Sequence, residues 1–167
     1  MKVGSTGMKW LRVIHIMAAG VWFGSTIAIL VLLSACLSPF DPELYAILAP
    51  LAQQIFQYTI GTAAIIIIIE AFVYGCVTHW GFFKHTWVTL KWILLVLLCL
   101  SIGIGFFGQL FGLTSKINTP GYIPASGDGN MLMLYTVLQV VVIMVMIIIS
   151  VLKPWPKKAK QENAISE

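Results

Sequence analysis

Four long segments of this chain contain almost no charged residues: 13–37, 58–78, 92–114 and 131–152. Each reaches the length of roughly 20 residues that a helix needs to cross the hydrocarbon core of a bilayer. Backbone amides find no water in lipid, so a crossing segment has to be a helix or a strand of a closed barrel. The apolar run at 63–69 lacks the alternation of a barrel strand. The sequence therefore predicts an all-α fold, an integral membrane four-helix bundle in contact with the lipid bilayer.

The composition excludes a water-exposed surface of ordinary size. Of the 167 residues, 59% are hydrophobic and 10% are charged, whereas a soluble domain carries roughly 25% charged residues. The net charge of +4 does not indicate a nucleic-acid partner, because the cations cluster beside the predicted spans.

The distribution of charge predicts the topology. Lys2, Lys9 and Arg12 precede the first span and four lysines follow the last, whereas the first loop carries Asp41 and Glu43 and no cation. Positive charge marks cytoplasmic segments, and an even number of spans places both ends on one side. We therefore predict that the N- and C-termini are both cytoplasmic.

The chain is predicted to form one domain. Residues 1–154 make the four-helix transmembrane domain, with spans at about 10–35, 56–78, 88–113 and 131–153. Residues 155–167 form a polar tail, which we predict to be disordered and cytoplasmic.

The first loop contains a helix start signal. Asp41 precedes Pro42, which suits an N-cap followed by proline at the first helical position. Two interpretations are open: a short interfacial helix over residues 44–54, or an early start of the second span with a kink at Pro50.

Three ionisable residues, His15, Glu70 and Lys91, lie within spans one, two and three. A charged side chain near mid-membrane costs ~2.5–3.5 kcal/mol and usually faces the bundle interior. Counted at 1.5 Å per residue, all three lie in the half nearer the chain ends, so we expect them to converge there. Glu70 and Lys91 are candidate catalytic groups, and Gln109, five helical turns from Lys91, is expected on the same face. The alternative is that these polar residues only hold neighbouring helices together.

Two small-residue motifs, Gly20 with Gly24 and Gly108 with Gly112, permit close helix approach. Packing within the chain is the favoured interpretation, and a homodimer contact is the alternative. The methionine pairs 131/133 and 144/146 raise a copper hypothesis, since thioethers suit Cu(I). Residues i and i+2 of a helix diverge, which favours ordinary packing instead.

Residues 10–24, WLRVIHIMAAGVWFG, resemble the first helix of HemJ-type protoporphyrinogen oxidases and of the copper-resistance D membrane domain. Those chains share a pattern of W-L-x-x-x-H followed by W-F/V-x-G. Residues 87–98 are similar to the third helix of HemJ-type proteins, with Lys91 at the matching position. The resemblance implies that His15, Lys91 and Trp22 bind haem b, with His15 as the ligand to the metal.

A haem b-binding membrane redox protein is the function that this resemblance implies. Its partner would be a quinone or a porphyrin, its location the cytoplasmic (inner) membrane of a bacterium or archaeon, and a membrane oxidoreductase of protoporphyrinogen-oxidase type is the candidate activity. The residues alone also leave open membrane transport of copper, protons or a small solute, along a path lined by His15, Glu70 and Lys91. A third alternative is a structural subunit without chemistry of its own.

Overall fold

The structure, a computed structural model, describes residues 4–77 and 86–152. Four helical stretches are long and apolar enough to cross a membrane: Thr6–Leu37, Pro42–Cys76, Thr86–Ile117 and Asn130–Leu152. No β-strand occurs within the two described ranges. The predicted all-α fold with four membrane-length helices is confirmed. The predicted tail 155–167, together with His79 and His85, lies outside the described residues.

Six α-helices and two π-helical segments make up these stretches. The helices are α1 (Ser5–Leu37), α2 (Pro42–Ile55), α3 (Thr62–Val77), α4 (Thr86–Leu100), α5 (Gly108–Ile117) and α6 (Asn130–Leu152). The π-helical segment Phe56–Gly61 joins α2 to α3, and Ser101–Phe107 joins α4 to α5. We call the end of the bundle where α1 begins and α6 ends the terminal end, and the opposite end the loop end.

The first helix is the centre of the bundle. It packs against α2, α3 and α6, whereas α4 packs against α6. Leu33, on α1, is fully buried, and Leu98 and Leu132 are nearly so. Large apolar side chains such as Val31 and Ile65 are instead more than 60% exposed on the outer surface. An apolar surface of this kind suits contact with lipid, where exposure of aliphatic groups carries no cost.

The second span begins early, at Pro42, as one of the two interpretations predicted. Oδ1 of Asp41 accepts hydrogen bonds from the backbone N–H of Glu43 at 3.0 Å and of Leu44 at 3.1 Å. These bonds satisfy amides that have no partner within the helix. The helix continues through Pro50 into the π-helical segment, so a separate interfacial helix is not formed.

The two π-helical segments meet in the bundle interior. The rings of Phe56 and Phe106 stack with centroids 5.3 Å apart, and Phe107 contacts Phe56 edge-on at 4.6 Å. Gly105 belongs to the segment Ser101–Phe107. The ring of Tyr135, on α6, lies directly against it, in the space that a β-carbon would occupy. This close approach brings α6 against the third span.

The motif of Gly20 and Gly24 packs against no other part of the chain that the structure describes. Both glycines are exposed, and a β-carbon added to either would meet no atom of the described residues within 4 Å. The prediction of intramolecular packing at this motif is therefore wrong. The homodimer contact stays a prediction.

A network around Asp128 holds the loop between α5 and α6 in place. Lys116 donates to Oδ1 of Asp128 at 2.7 Å, while the Tyr122 hydroxyl and the Ala125 N–H (3.0 Å) donate to Oδ2. The bonds from Lys116, Tyr122 and Ala125 lower the pKa of Asp128 to about 2. Burial, with the hydrogen bond to Asp128 and its charge, raises the pKa of Tyr122 to about 12. We call these four residues the Asp128 clasp.

Candidate functional site

His15 and Glu70 form a hydrogen bond between α1 and α3. Nδ1 of His15 lies 3.2 Å from Oε2 of Glu70, and Glu70 is only 4% exposed. An ionised carboxylate can only accept, so with Glu70 ionised the imidazole Nδ1–H is the donor. The convergence of these two residues, expected from their depth in the spans, is confirmed.

This bond defines which ring nitrogen of His15 is left for other chemistry. With Nδ1 directed at Glu70, Nε2 is the remaining nitrogen, and in the neutral ring it carries the lone pair. Tyr74, one turn beyond Glu70, places its ring edge-on to the imidazole with centroids 6.4 Å apart. The imidazole is thus held on one edge by a carboxylate and by an aromatic ring.

His15 lines a cavity of about 570 Å³ in the terminal half of the bundle. We call it the terminal cavity. It lies between α1, α3, α4 and α6, because α4 packs along α6 and leaves space beside α3. The rings of Phe72 and Trp92 bridge that space at a centroid distance of 5.7 Å. The predicted site residues His15, Trp22 and Lys91 all line this one cavity.

The terminal cavity has two cationic side chains in its wall. Arg12 comes from α1 and Lys91 from α4. Nζ of Lys91 lies 5.6 Å from the centroid of the Trp87 ring, within range of a cation–π interaction. The wall therefore combines an imidazole, two positive charges and aromatic rings, which suits a flat apolar ligand with an anionic edge.

Three buried polar atoms have no hydrogen-bond partner among the described residues. They are Nε1 of Trp22, Oε1 of Glu70 and Nε2 of Gln139. A buried polar group without a partner costs about 1–3 kcal/mol, so such groups usually bond to water or a ligand. Trp22 is 3% exposed and lines the terminal cavity, while its indole nitrogen is itself buried.

The described residues contain no group of three or more His, Cys, Asp or Glu side chains that could hold a metal ion. Met144 is 45% exposed on the outer surface, whereas Met146 lines the terminal cavity. The pair diverges as predicted and does not clamp one ion.

Two residues of the cavity wall were missed as site residues by sequence reasoning. From the sequence, Arg12 indicates the topology, and Trp87 fits an aromatic belt at the membrane interface and the segment that resembles HemJ-type proteins. Helical spacing does connect them to the site, since Arg12 lies three residues before His15 and Trp87 four residues before Lys91.

No protein-family model matches the chain, and neither the curated proteins nor the solved structures give a significant match to it. The resemblance to HemJ-type and copper-resistance D proteins therefore stays a prediction.

Proposed function

We propose that this chain is a haem b-binding membrane redox protein, in which the terminal cavity would hold the haem and His15 would bind its iron. The observation that carries the proposal is the hydrogen bond from Nδ1 of His15, which lines the cavity, to Glu70, which lies behind it and does not line the cavity. Histidines that bind metals usually donate their other ring N–H to a carboxylate or carbonyl, which fixes the ring and raises its basicity. Glu70 has this relation to His15.

The cavity fits the proposed cofactor in size and charge. Its volume of about 570 Å³ lies within the range of small-molecule and cofactor sites, roughly 300–1,000 Å³. Lys91 and Arg12 suit the two carboxylates of haem, and the apolar and aromatic wall suits its ring. Bound haem supplies one-electron chemistry. The protein's part is to orient the ring through His15 and to exclude water.

The charge pattern supports the orientation of the protein in its membrane. We infer that both termini are cytoplasmic, in the cytoplasmic membrane of a bacterium or archaeon, following the excess of lysine at the chain ends. The terminal cavity then opens in the cytoplasmic half of the bilayer. A cytoplasmic porphyrin or a membrane quinone is the proposed electron partner, and oxidation of a porphyrinogen is the candidate reaction.

A visible spectrum of the protein purified from haem-replete cells tests the proposal. We expect a Soret band that His15→Ala abolishes and that added imidazole partly restores. Met17→Ala is the matched control, because Met17 lies on the same helix, is 67% exposed and does not line the cavity. A colourless preparation, or a Soret band that survives His15→Ala, would contradict haem ligation by His15.

Transport of a proton or small solute is the second candidate, favoured by the unpartnered polar atoms on α1, α3 and α6. Waters bonded to these atoms would supply a polar route through the interior. The packing at the loop end argues against a continuous polar route, because Leu33 and Cys36 are fully buried there and Leu132 is 1% exposed. Proton flux into vesicles that contain the colourless protein, lost in Glu70→Gln, would favour transport. Copper uptake measured in the same vesicles tests the copper version.

A further inference from the structure

A second cavity, of about 220 Å³, lies on the side of the bundle between α2 and α5, toward the loop end. We call it the α2–α5 groove. From its lining we infer that it binds the ring of a membrane quinone, a substituted benzoquinone or naphthoquinone whose hydrocarbon tail stays in the bilayer. The haem proposal neither assigns nor requires this site.

The volume of the groove fits a head group rather than a whole ligand. Sites that enclose a drug-sized molecule measure roughly 300–1,000 Å³, and the groove is smaller than that. Phe111, which lines the groove, is 52% exposed on the outer surface. An occupant can therefore hold its polar ring in the groove and leave an apolar tail among the lipid chains.

The lack of charge in the groove favours a neutral head group. None of the described residues that line it carries a charge. A phospholipid head group bears a phosphate, which proteins usually bind with arginine, lysine or a helix N-terminus. A quinone ring is neutral and needs only hydrogen-bond partners and apolar contact.

Both kinds of hydrogen-bond partner are present in the wall. The side chain of Gln53 offers a donor and an acceptor and forms no hydrogen bond within the described part of the chain. Pro50 has no N–H, so it cannot give the carbonyl of Ala46 its regular helical bond. A donor suits the carbonyl of an oxidised quinone, and an acceptor suits the hydroxyl of its reduced form.

The back wall of the groove is rigid. The Tyr45 hydroxyl donates to the carbonyl of Leu110 at 2.9 Å, and the Thr114 hydroxyl donates to the same oxygen at 2.8 Å. Phe111 stacks on Phe107 with centroids 5.8 Å apart, so its ring is held beside the groove. A flat ring between Tyr45 and Phe111 would meet fixed surfaces, which lowers the entropic cost of binding.

Photolabelling tests occupancy directly. The probe is an azido-benzoquinone with a short alkyl tail, applied to the full chain in nanodiscs of phosphatidylcholine without quinone. We expect label on peptides from α2 and α5, removed by excess decyl-benzoquinone. Label confined to the terminal cavity, or label on α2 and α5 that decyl-benzoquinone does not displace but added phospholipid does, would overturn the inference.

Two pairs of variants locate the binding. Gln53→Leu should weaken decyl-benzoquinone binding roughly three- to tenfold, the effect of one hydrogen bond, whereas Gln54→Leu, on the exposed neighbour, should not. Ala46→Leu should block the groove from its open side, and Ile47→Leu, at the 64% exposed position beside it, is the control. Equal affinity across each pair would overturn the inference.

This test is independent of haem. The His15→Ala protein should keep its quinone affinity when it loses the Soret band, and Gln53→Leu should keep the Soret band. If the purified protein is colourless but binds quinone in the groove, the haem proposal fails and the quinone site stands. If the Soret band is present and no label reaches α2 or α5, the reverse holds.

Discussion

Nδ1 of His15 and Oε2 of Glu70 lie 3.2 Å apart across the contact between α1 and α3. The other carboxylate oxygen, Oε1, is buried without a partner among the described residues. The carboxylate is therefore committed to the imidazole in a region that water does not reach freely. With Glu70 ionised, this contact keeps the imidazole proton on Nδ1, so that Nε2 of the neutral ring has a free lone pair.

Replacement of Glu70 should weaken haem binding without removing the ligand. Loss of a carboxylate bonded to a metal-binding histidine typically costs about 10- to 100-fold in affinity, and we expect that loss for Glu70→Ala. Glu70→Gln keeps a hydrogen-bond acceptor of lower basicity, so its haem affinity should lie between those of the parent protein and of Glu70→Ala. Haem titration followed at the Soret band measures both variants. Ile69→Ala is the control, since Ile69 is 58% exposed, and equal affinity in Glu70→Ala and Ile69→Ala would show that Glu70 does not support His15.

The contact between Gly105 and Tyr135 predicts that one added methyl group at Gly105 lowers the stability of the protein. A β-carbon at Gly105 would collide with the Tyr135 ring, and overpacking of an interior costs about 1–3 kcal/mol. Gly105→Ala should lower the free energy of unfolding in mixed micelles by that amount. Gly103→Ala is the matched control in the same π-helical segment, because a β-carbon there meets nothing within 4 Å among the described residues.

Tyr135→Ala should remove most of this penalty. A double-mutant cycle of Gly105→Ala with Tyr135→Ala therefore isolates the contact. If Gly105→Ala and Gly103→Ala have the same free energy of unfolding, α6 does not approach the third span as closely as the structure shows.

The number and type of the spans could be predicted because each depends on local composition. Lipid forces an apolar segment of about 20 residues into a helix, whatever its neighbours are. The N-cap at Asp41 is equally local, since its side chain bonds amides two and three residues ahead. The convergence of His15 and Glu70 followed from depth alone, which a fixed rise per residue supplies.

Helix faces could not be predicted across the π-helical segments. Gln109 and Lys91 are eighteen residues apart, which is five turns of a regular α-helix, but Ser101–Phe107 lies between them and has a wider turn. A π-helical segment has no clear sequence signal, so the regular spacing on which the shared face of Lys91 and Gln109 depends could not be checked from the sequence. The shared face of these two residues stays a prediction.

The Asp128 clasp should make the loop between α5 and α6 sensitive to acid. Its hydrogen bonds lower the pKa of Asp128 from 3.8 to about 2, so the ionised form is favoured in the folded protein. The clasp stabilises the loop fully above the unfolded pKa, and that stabilisation is lost as the pH falls from about 4 toward 2. Asp128→Asn removes the titrating group and should abolish this pH dependence.

Amide hydrogen exchange at Ala125 measures the effect, because this N–H donates to Asp128. Its protection factor should fall between pH 4 and 2 in the parent protein and stay low and constant in Asp128→Asn. Tyr122→Phe removes one donor and should raise the pH at which protection is lost. A parent protection factor that is constant over this range would contradict the role of Asp128.

Gln139 separates the two candidate functions. It is 1% exposed, and its Nε2 has no partner among the described residues. An unpaired buried amide costs about 1–3 kcal/mol, and an apolar residue of similar shape avoids this cost. Gln139→Met should therefore raise the free energy of unfolding in mixed micelles by about 1 kcal/mol. Leu138→Met, at the 44% exposed neighbour, is the control and should change little.

Haem binding and transport predict different results for Gln139→Met. Gln139 does not line the terminal cavity, so Gln139→Met should leave the Soret band and the haem affinity unchanged. In a transporter, waters bonded to Gln139 would belong to the polar route, and its replacement by an apolar side chain would stop flux. We expect the more stable protein with unaltered haem affinity. A Gln139→Met protein that loses proton flux in vesicles would instead identify the buried amide as part of a transport route.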